Sequence, residues 1–181
     1  MFKKSLALLA CFAITTSQIH TKNKVLGKPA PTFKAKAVFP DSSIRDFDLQ
    51  DYFKLNSGGS DLVLYFYPFD NTPECIKQAK SFRDSIDRLK EKGISVVGVS
   101  CDAPASHKRF QKKLGIPYPL VSDSRLAREI SMKYGALGFF HSKRKTFLIN
   151  KKGIVFKVFE NVDIDKQIDD ILSSFEKEYR R

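Results

Sequence analysis

The chain has 181 residues, 42% of them hydrophobic and 16 of them Phe, enough for one buried core and too few for two independent domains. The net charge of +12 raises the question of an anionic partner, but the lysines stand singly or in pairs such as Lys112-Lys113 and Lys151-Lys152. Without a long basic run or interleaved aromatics, this describes a solvated surface and not a nucleic-acid reader.

Met1 to Lys4 is basic, Ser5 to Ile14 is largely apolar, and Thr15, Thr16 and Ser17 are small and polar. That order reads as a signal peptide over residues 1–17, with export to a periplasm or the cell exterior. The apolar stretch falls short of the roughly 20 residues of a membrane span, so no stable membrane insertion is expected. Leu8-Leu9-Ala10-Cys11 also resembles a lipobox, which would anchor the chain through a lipid on Cys11; a plastid leader is the third reading. Residues 18–28 are polar and expected to be flexible, leaving 29–181 as the folded domain.

Two short alternating stretches, Thr32 to Val38 and Ser43 to Leu49, predict a hairpin turned at Pro40-Asp41-Ser42. Asn56 to Ser60 is a Gly-containing loop. The run Leu62-Val63-Leu64-Tyr65-Phe66-Tyr67 has no polar face and predicts a strand buried on both sides. Ile76, Ala79, Phe82, Ile86 and Leu89 then recur at spacings of three and four, predicting a helix from Pro73 to Lys92, ended by Gly93. Further along come a buried strand (Ile94 to Ser100), a helix (Ala105 to Leu114), a short strand (Leu120-Val121) and a helix (Arg125 to Tyr134). A hairpin (Lys145 to Ile149 and Ile154 to Phe159) and an amphipathic helix (Asp163 to Tyr179) complete the chain. Strands alternating with helices make this an α/β protein with right-handed crossovers.

The stretch Tyr67-Pro68-Phe69-Asp70-Asn71-Thr72-Pro73-Glu74-Cys75 lies where a buried strand hands over to a helix, a place where open α/β sheets bind ligands. Thr72 suits the N-cap and Pro73 the first helical position. Cys75 then falls in the first turn, beside unsatisfied backbone N–H groups and the positive end of the helix dipole, which favours thiolate over thiol. A thiolate is a nucleophile. Cys11, Cys75 and Cys101 are too few for a disulfide framework and match no zinc pattern, and His20, His107 and His141 show no metal-ligand spacing.

Pro68, Thr72 and Cys75 match the P-x-x-x-T-x-x-C pattern of the peroxiredoxin family. The surrounding segments resemble its Q branch, also called bacterioferritin comigratory protein: Tyr65-Phe66-Tyr67-Pro68, Asp70-Asn71-Thr72-Pro73, Ser81-Phe82-Arg83-Asp84, Gly98-Val99-Ser100, Ser106-His107-Lys108, Leu120-Val121-Ser122-Asp123 and Thr146-Phe147-Leu148-Ile149. The resemblance runs from about Leu26 to the C-terminal helix. It implies a thioredoxin-like fold, a central mixed β-sheet flanked by helices with an N-terminal β-hairpin extension. It implies a peroxidase that reduces hydrogen peroxide and organic hydroperoxides without a cofactor or metal. Cys75 would attack the peroxide, Thr72 would orient it, Pro68 would shield the sulfur from water, and Arg144 would stabilise the shifting charge. A thiol reductant (thioredoxin, glutaredoxin or a small thiol) would restore the sulfur, in a protein that is a monomer or weak dimer.

The chain departs from that branch at Lys80, where many members carry a resolving cysteine five residues after the first. Either an external thiol reduces the Cys75 sulfenic acid directly, or Cys101 resolves it. Phe139-Phe140 is expected to pack in the core, and His141 to be exposed or to line the pocket. The alternatives are a thiol-disulfide oxidoreductase, which the sequence Cys75-Ile76-Lys77-Gln78 disfavours, and a binding or holdase protein on the same scaffold.

Overall fold

Seven strands form one mixed sheet in the computed structural model, which describes residues 23–55, 60–123 and 128–180. The expected signal peptide with Cys11, and residues 56–59 of the expected Gly-containing loop, lie outside the described residues. The strand order is β2-β1-β5-β4-β3-β6-β7. At its centre β3 (Asp61–Phe66) runs parallel to β4 (Ile94–Ser100), and β4 parallel to β5 (Leu120–Ser122). On the other side β3 pairs antiparallel with β6 (Lys145–Ile149), which pairs with β7 (Val155–Phe159). The hairpin of β1 (Lys34–Val38) and β2 (Ile44–Asp48) extends the sheet beyond β5. Every residue of β3 is buried, as its unbroken apolar run requires of a strand covered on both faces.

Two cores lie on the two faces. One joins Tyr65, Tyr67, Cys75, Phe82, Leu89 and Phe110 to Ile171 and Phe175 of the closing helix. The other joins Leu64, Phe66, Val97 and Phe147 to Phe33, Leu49, Ile130 and Tyr134. Within the first, Tyr65 stacks on Phe82 at 4.6 Å between ring centroids, and the Tyr118 hydroxyl donates to the Ala79 carbonyl at 3.2 Å. These contacts seat the helix that carries Cys75.

The structure revises several element boundaries. The apolar stripe from Ile76 to Leu89 lies on two helices, α2 (Pro73–Asp84) and α3 (Ile86–Glu91), separated at Ser85, whose φ of −106° and ψ of 8° leave the helical region. Both halves keep their apolar face on the same core, which is why the sequence period looks continuous. A helix absent from the sequence reading, α1 (Leu49–Leu55), follows β2 directly; the Asp48 carboxylate accepts from the Gln50 amide at 2.8 Å and caps it. Helix α4 (Pro104–Leu114) ends at Gly115 in the left-handed conformation, as expected. Helix α5 (Glu129–Lys133) is capped from outside its own segment, because the buried Asp123 carboxylate accepts from the amides of Ile130 and Ser131; residues 125–127 of the expected helix lie outside the described residues. The final helix α6 (Gln167–Tyr179) starts four residues later than expected, after a turn in which Asp163 accepts from the Asp165 amide.

Of the segment 18–28 expected to be flexible and polar, residues 18–22 lie outside the described residues and 23–28 run along the sheet. Val25 is buried, Gly27 donates to the Val155 carbonyl at 2.7 Å, and the Asn23 side chain donates to Glu160 at 2.8 Å. A short apolar residue among polar ones is enough to anchor the segment once β7 supplies backbone partners. Phe139 and Phe140 also depart from expectation: they stand 84% and 75% exposed, against each other and not in the core. Among the described residues no helix is long and apolar enough to cross a membrane.

Candidate active site

Strand β3 ends at Phe66, and the chain turns through Pro68 to Thr72 before entering α2. The turn uses Asn71 at a φ of 61°, a left-handed conformation that Asn tolerates better than most residues. Thr72 occupies the N-cap position in extended conformation, with Pro73 following, as the sequence predicts. Its hydroxyl does not cap the helix, however. It donates back to the Phe69 carbonyl at 3.3 Å, which leaves the first-turn amides of α2 without a side-chain cap and the hydroxyl oxygen as an acceptor.

Cys75 lies in that first turn, 2% exposed and packed in the core on the α2 face. Arg144 reaches it there, donating from Nη2 to Cys75 Sγ at 3.4 Å. The sheet makes this contact possible between residues 69 positions apart: antiparallel pairing sets Lys145 opposite Phe66, so Arg144 falls beside the end of β3, where the loop to Cys75 begins. The guanidinium and the helix N-terminus converge on one sulfur. Pro68 is half-buried at the start of the same loop.

The sequence reading assigned no role to Gln78, which completes this arrangement. Fully buried one turn after Cys75, it accepts a short hydrogen bond from Arg144 Nη1 through Oε1 and donates from Nε2 to Gln167 Oε1 at 3.1 Å. Gln167 is the first residue of α6. The fork of Arg144 is thus held on one side by Cys75 and on the other by a chain of amides reaching the closing helix. Only the spacing of three from Cys75, placing both on one helix face, could have pointed to Gln78.

Cys101 is equally buried but belongs elsewhere. Its sulfur lies 3.4 Å from Ser142 Oγ, which in turn lies 2.7 Å from Ser131 Oγ on α5. Helix α5 covers the sheet face opposite to the one where Cys75 packs. Both cysteines are free thiols. The structure therefore sets Arg144 against Cys75, with Pro68 and Thr72 on the loop that leads to it, and sets Cys101 against Ser142. Lys80 is exposed on α2. His141 is half-buried, and its ring packs against Phe69 of the loop at 5.0 Å between centroids. A surface groove runs past Phe33, Lys36, Cys101, Ser106 and Arg109, and Cys75 does not line it. It mixes charges of both signs and adds nothing to the site. Among the described residues no group of His, Cys, Asp and Glu is placed to hold a metal ion.

A seven-stranded mixed sheet with a helix presenting a cysteine to an arginine defines a thioredoxin-like peroxidase scaffold, and comparison with known proteins agrees. Residues 26–158 match the model of the AhpC/TSA family, and the chain belongs to that peroxiredoxin family. It is 35% identical over 157 residues to the chloroplastic peroxiredoxin Q of Gentiana triflora, covering 80% of this chain and 72% of that one. The chloroplastic peroxiredoxin Q of Populus jackii is 38% identical over 136 residues, covering 74% of this chain and 63% of the relative. Among solved structures, the reduced 2-Cys peroxiredoxin of Plasmodium vivax superposes with a TM-score of 0.74 at 28% identity, over 86% of this chain and 99% of that one.

Proposed function

We propose that this chain is a one-cysteine thiol peroxidase, in which Cys75 reduces hydroperoxides and an external thiol regenerates it. As a peroxiredoxin it is a peroxidase-type oxidoreductase. The observation that carries the site assignment is the Arg144 guanidinium 3.4 Å from the sulfur of Cys75, in the first turn of α2.

In this reading the Cys75 thiolate attacks one peroxide oxygen. An S–O bond forms as the O–O bond breaks, and the departing oxygen leaves as water or an alcohol after taking a proton. Sulfur is oxidised and the peroxide reduced. Arg144 faces the charge that passes from sulfur to the leaving oxygen, and the Thr72 hydroxyl oxygen is free to accept from the peroxide O–H. Pro68 limits access of water to the sulfur. The product is a Cys75 sulfenic acid. One thiol then displaces water from it, giving a mixed disulfide, and a second thiol releases Cys75 with formation of the reductant's disulfide.

The placement of Cys101 on the other face of the sheet, tied to Ser142 and Ser131, supports the one-cysteine route over a Cys75–Cys101 disulfide. Such a bond requires Cα atoms within about 7 Å. The reductant is a thioredoxin, a glutaredoxin or a small thiol. The protein acts as a monomer or weak dimer. The basic, apolar, small-residue order of residues 1–17 supports export, while the names of the plant relatives favour the plastid alternative.

The test is the rate and intact mass after one equivalent of hydrogen peroxide. A fast reaction that adds one oxygen and disappears in Cys75→Ser is expected. Loss of two hydrogens instead would select a Cys75–Cys101 disulfide. A rate no faster than that of an ordinary cysteine would remove the peroxidase reading and favour a binding protein on this scaffold.

A further inference from the structure

The loop that delivers Cys75 is anchored on buried ionisable groups that the proposed chemistry does not use. Asp70, two residues before Thr72, is 8% exposed, and His107 of α4 is fully buried. His107 Nδ1 lies 3.1 and 3.0 Å from the two Asp70 carboxylate oxygens, and its Nε2 lies 3.2 Å from the Val121 carbonyl of β5. The Tyr67 hydroxyl donates to Asp70 Oδ1 at 2.9 Å. The Asp70 amide donates to Asp102 Oδ2 at 2.9 Å, and that carboxylate also accepts from Ser100 Oγ at 2.7 Å. Lys113 reaches the Asn71 side chain at 3.2 Å from the solvent side.

The protons follow from the acceptors. A carbonyl oxygen only accepts, so Nε2 carries a hydrogen. Burial first, and then the Asp70 charge, push the Tyr67 hydroxyl well up from its usual range, so it stays a donor. If Nδ1 bore no hydrogen, its lone pair would face two carboxylate oxygens at about hydrogen-bond distance, and the Tyr67 hydroxyl, 3.3 Å from Nδ1, already gives its one hydrogen to Asp70 Oδ1 at 2.9 Å. In a buried site that is strongly unfavourable. The geometry therefore calls for a hydrogen between Nδ1 and the carboxylate.

We propose that Asp70 and His107 are positioning residues for the peroxidatic centre, sharing one buried proton that locks the loop from Pro68 to Thr72 and so sets where Thr72 and Cys75 stand relative to Arg144. The inference rests on the peroxidase reading for its activity readout. Such a lock suits a loop that passes through the left-handed Asn71 just before Cys75, after the Tyr67 amide has made its bond to Val99 at 3.1 Å. Misplacement by about 1 Å is enough to cost roughly 100-fold in rate at a site that works by alignment.

The experiment compares single-turnover oxidation of Cys75 by hydrogen peroxide in wild type, His107→Leu and the double variant Asp70→Asn/His107→Leu. Leucine strands the Asp70 charge in the core, and the peroxide rate is expected to fall by about 100-fold. Replacing the stranded carboxylate by an amide should recover about 10-fold of that loss, because an unpaired amide disturbs the loop less than an unpaired charge. A residue that only fills space would show no rescue, and a double variant as slow as His107→Leu overturns the proposal. Histidine-nitrogen NMR of the wild-type protein gives a reading that does not depend on the variants folding. His107 Nδ1 should appear protonated or hydrogen-bonded to a proton; the signal of a bare, unprotonated nitrogen overturns the shared proton. A wild-type protein with no fast peroxide reaction sinks the peroxidase reading itself, and the positioning role with it, whatever the NMR reports.

Discussion

Cys75 and Cys101 are both free, both nearly inaccessible at 2% and 1% exposure, and both sit at the carboxyl-terminal edge of the central sheet. Burial alone would make either one an inert, small hydrophobic residue. The difference lies in what surrounds the sulfur. Cys75 meets a guanidinium and the start of a twelve-residue helix. Cys101 meets a serine hydroxyl that is already shared with a second serine. Among the described residues a cation contacts the sulfur in one case and a neutral hydroxyl in the other, so the two thiols differ in their partners and not in their depth.

The comparison is broken most directly by exchanging the two sulfurs one at a time. Cys75→Ser should abolish peroxide consumption, while Cys101→Ser should leave the single-turnover rate within about threefold of wild type, since substitutions away from the reacting groups usually cost little. Turnover with a small thiol should survive in Cys101→Ser; loss of turnover with an intact first step would make Cys101 the resolving residue.

Removing the cation that distinguishes the two sites comes next. Arg144→Leu should slow the peroxide step by about 100- to 1,000-fold, the usual scale for deleting a group that faces developing charge. Arg144→Lys should fall between the two, because an ammonium keeps the charge but has no fork to span Gln78 and Cys75. Stopped-flow oxidation of both variants checks this.

Gln78→Leu tests the support behind the cation. It removes the acceptor for Arg144 Nη1 and the donor to Gln167, and should cost about 10-fold in the same assay, with Cys75 and Arg144 still in place. An unchanged rate would mean that the Arg144–Cys75 contact is set by β6 alone.

The smallest effect is expected at the opposite end of β3, where the Tyr179 hydroxyl donates to the buried Asp61 carboxylate. Tyr179→Phe should leave the peroxide rate unchanged and lower stability by about 1 kcal/mol, read from urea unfolding. Burial, and then Asp61, push the Tyr179 hydroxyl up to about 12 from 10.0. A folded-state value raised above the unfolded one means the contribution is present below pH 10.0 and lost as pH rises through about 12, so the gap between wild type and variant should close there.

Much of this site was legible in the chain, for local reasons. Thr72, Pro73 and Cys75 lie within one helical turn, and the N-cap, the proline position and the sulfur beside the dipole follow from sequence spacing alone. The buried strand before them was equally plain, because an unbroken apolar run has few other uses. Arg144 was reached only through the resemblance; by itself it reads as one cation among Lys143 and Lys145. Phe139 and Phe140 were misjudged because apolar character predicts burial only when a face of the fold is waiting for it. Helix α1 went unread because the preceding strand and the helix share Leu49 as an apolar boundary, and its cap, Asp48, also ends the strand.

By itself, then, the amino-acid sequence determined the α/β order of elements, the hairpin extension and the helix start that holds Cys75, all of them consequences of interactions between residues a few positions apart. Only the tertiary structure decided which charged and polar groups converge there. Arg144 stands just before β6, Gln167 comes from α6 and His107 from α4, and their sequence separations from their partners run from 37 to 89 residues. Contacts of that range are set by sheet register and by which face each helix covers, and no local pattern encodes either. The same holds for Cys101, whose place beyond the sheet from Cys75 depends on the side to which one strand end turns.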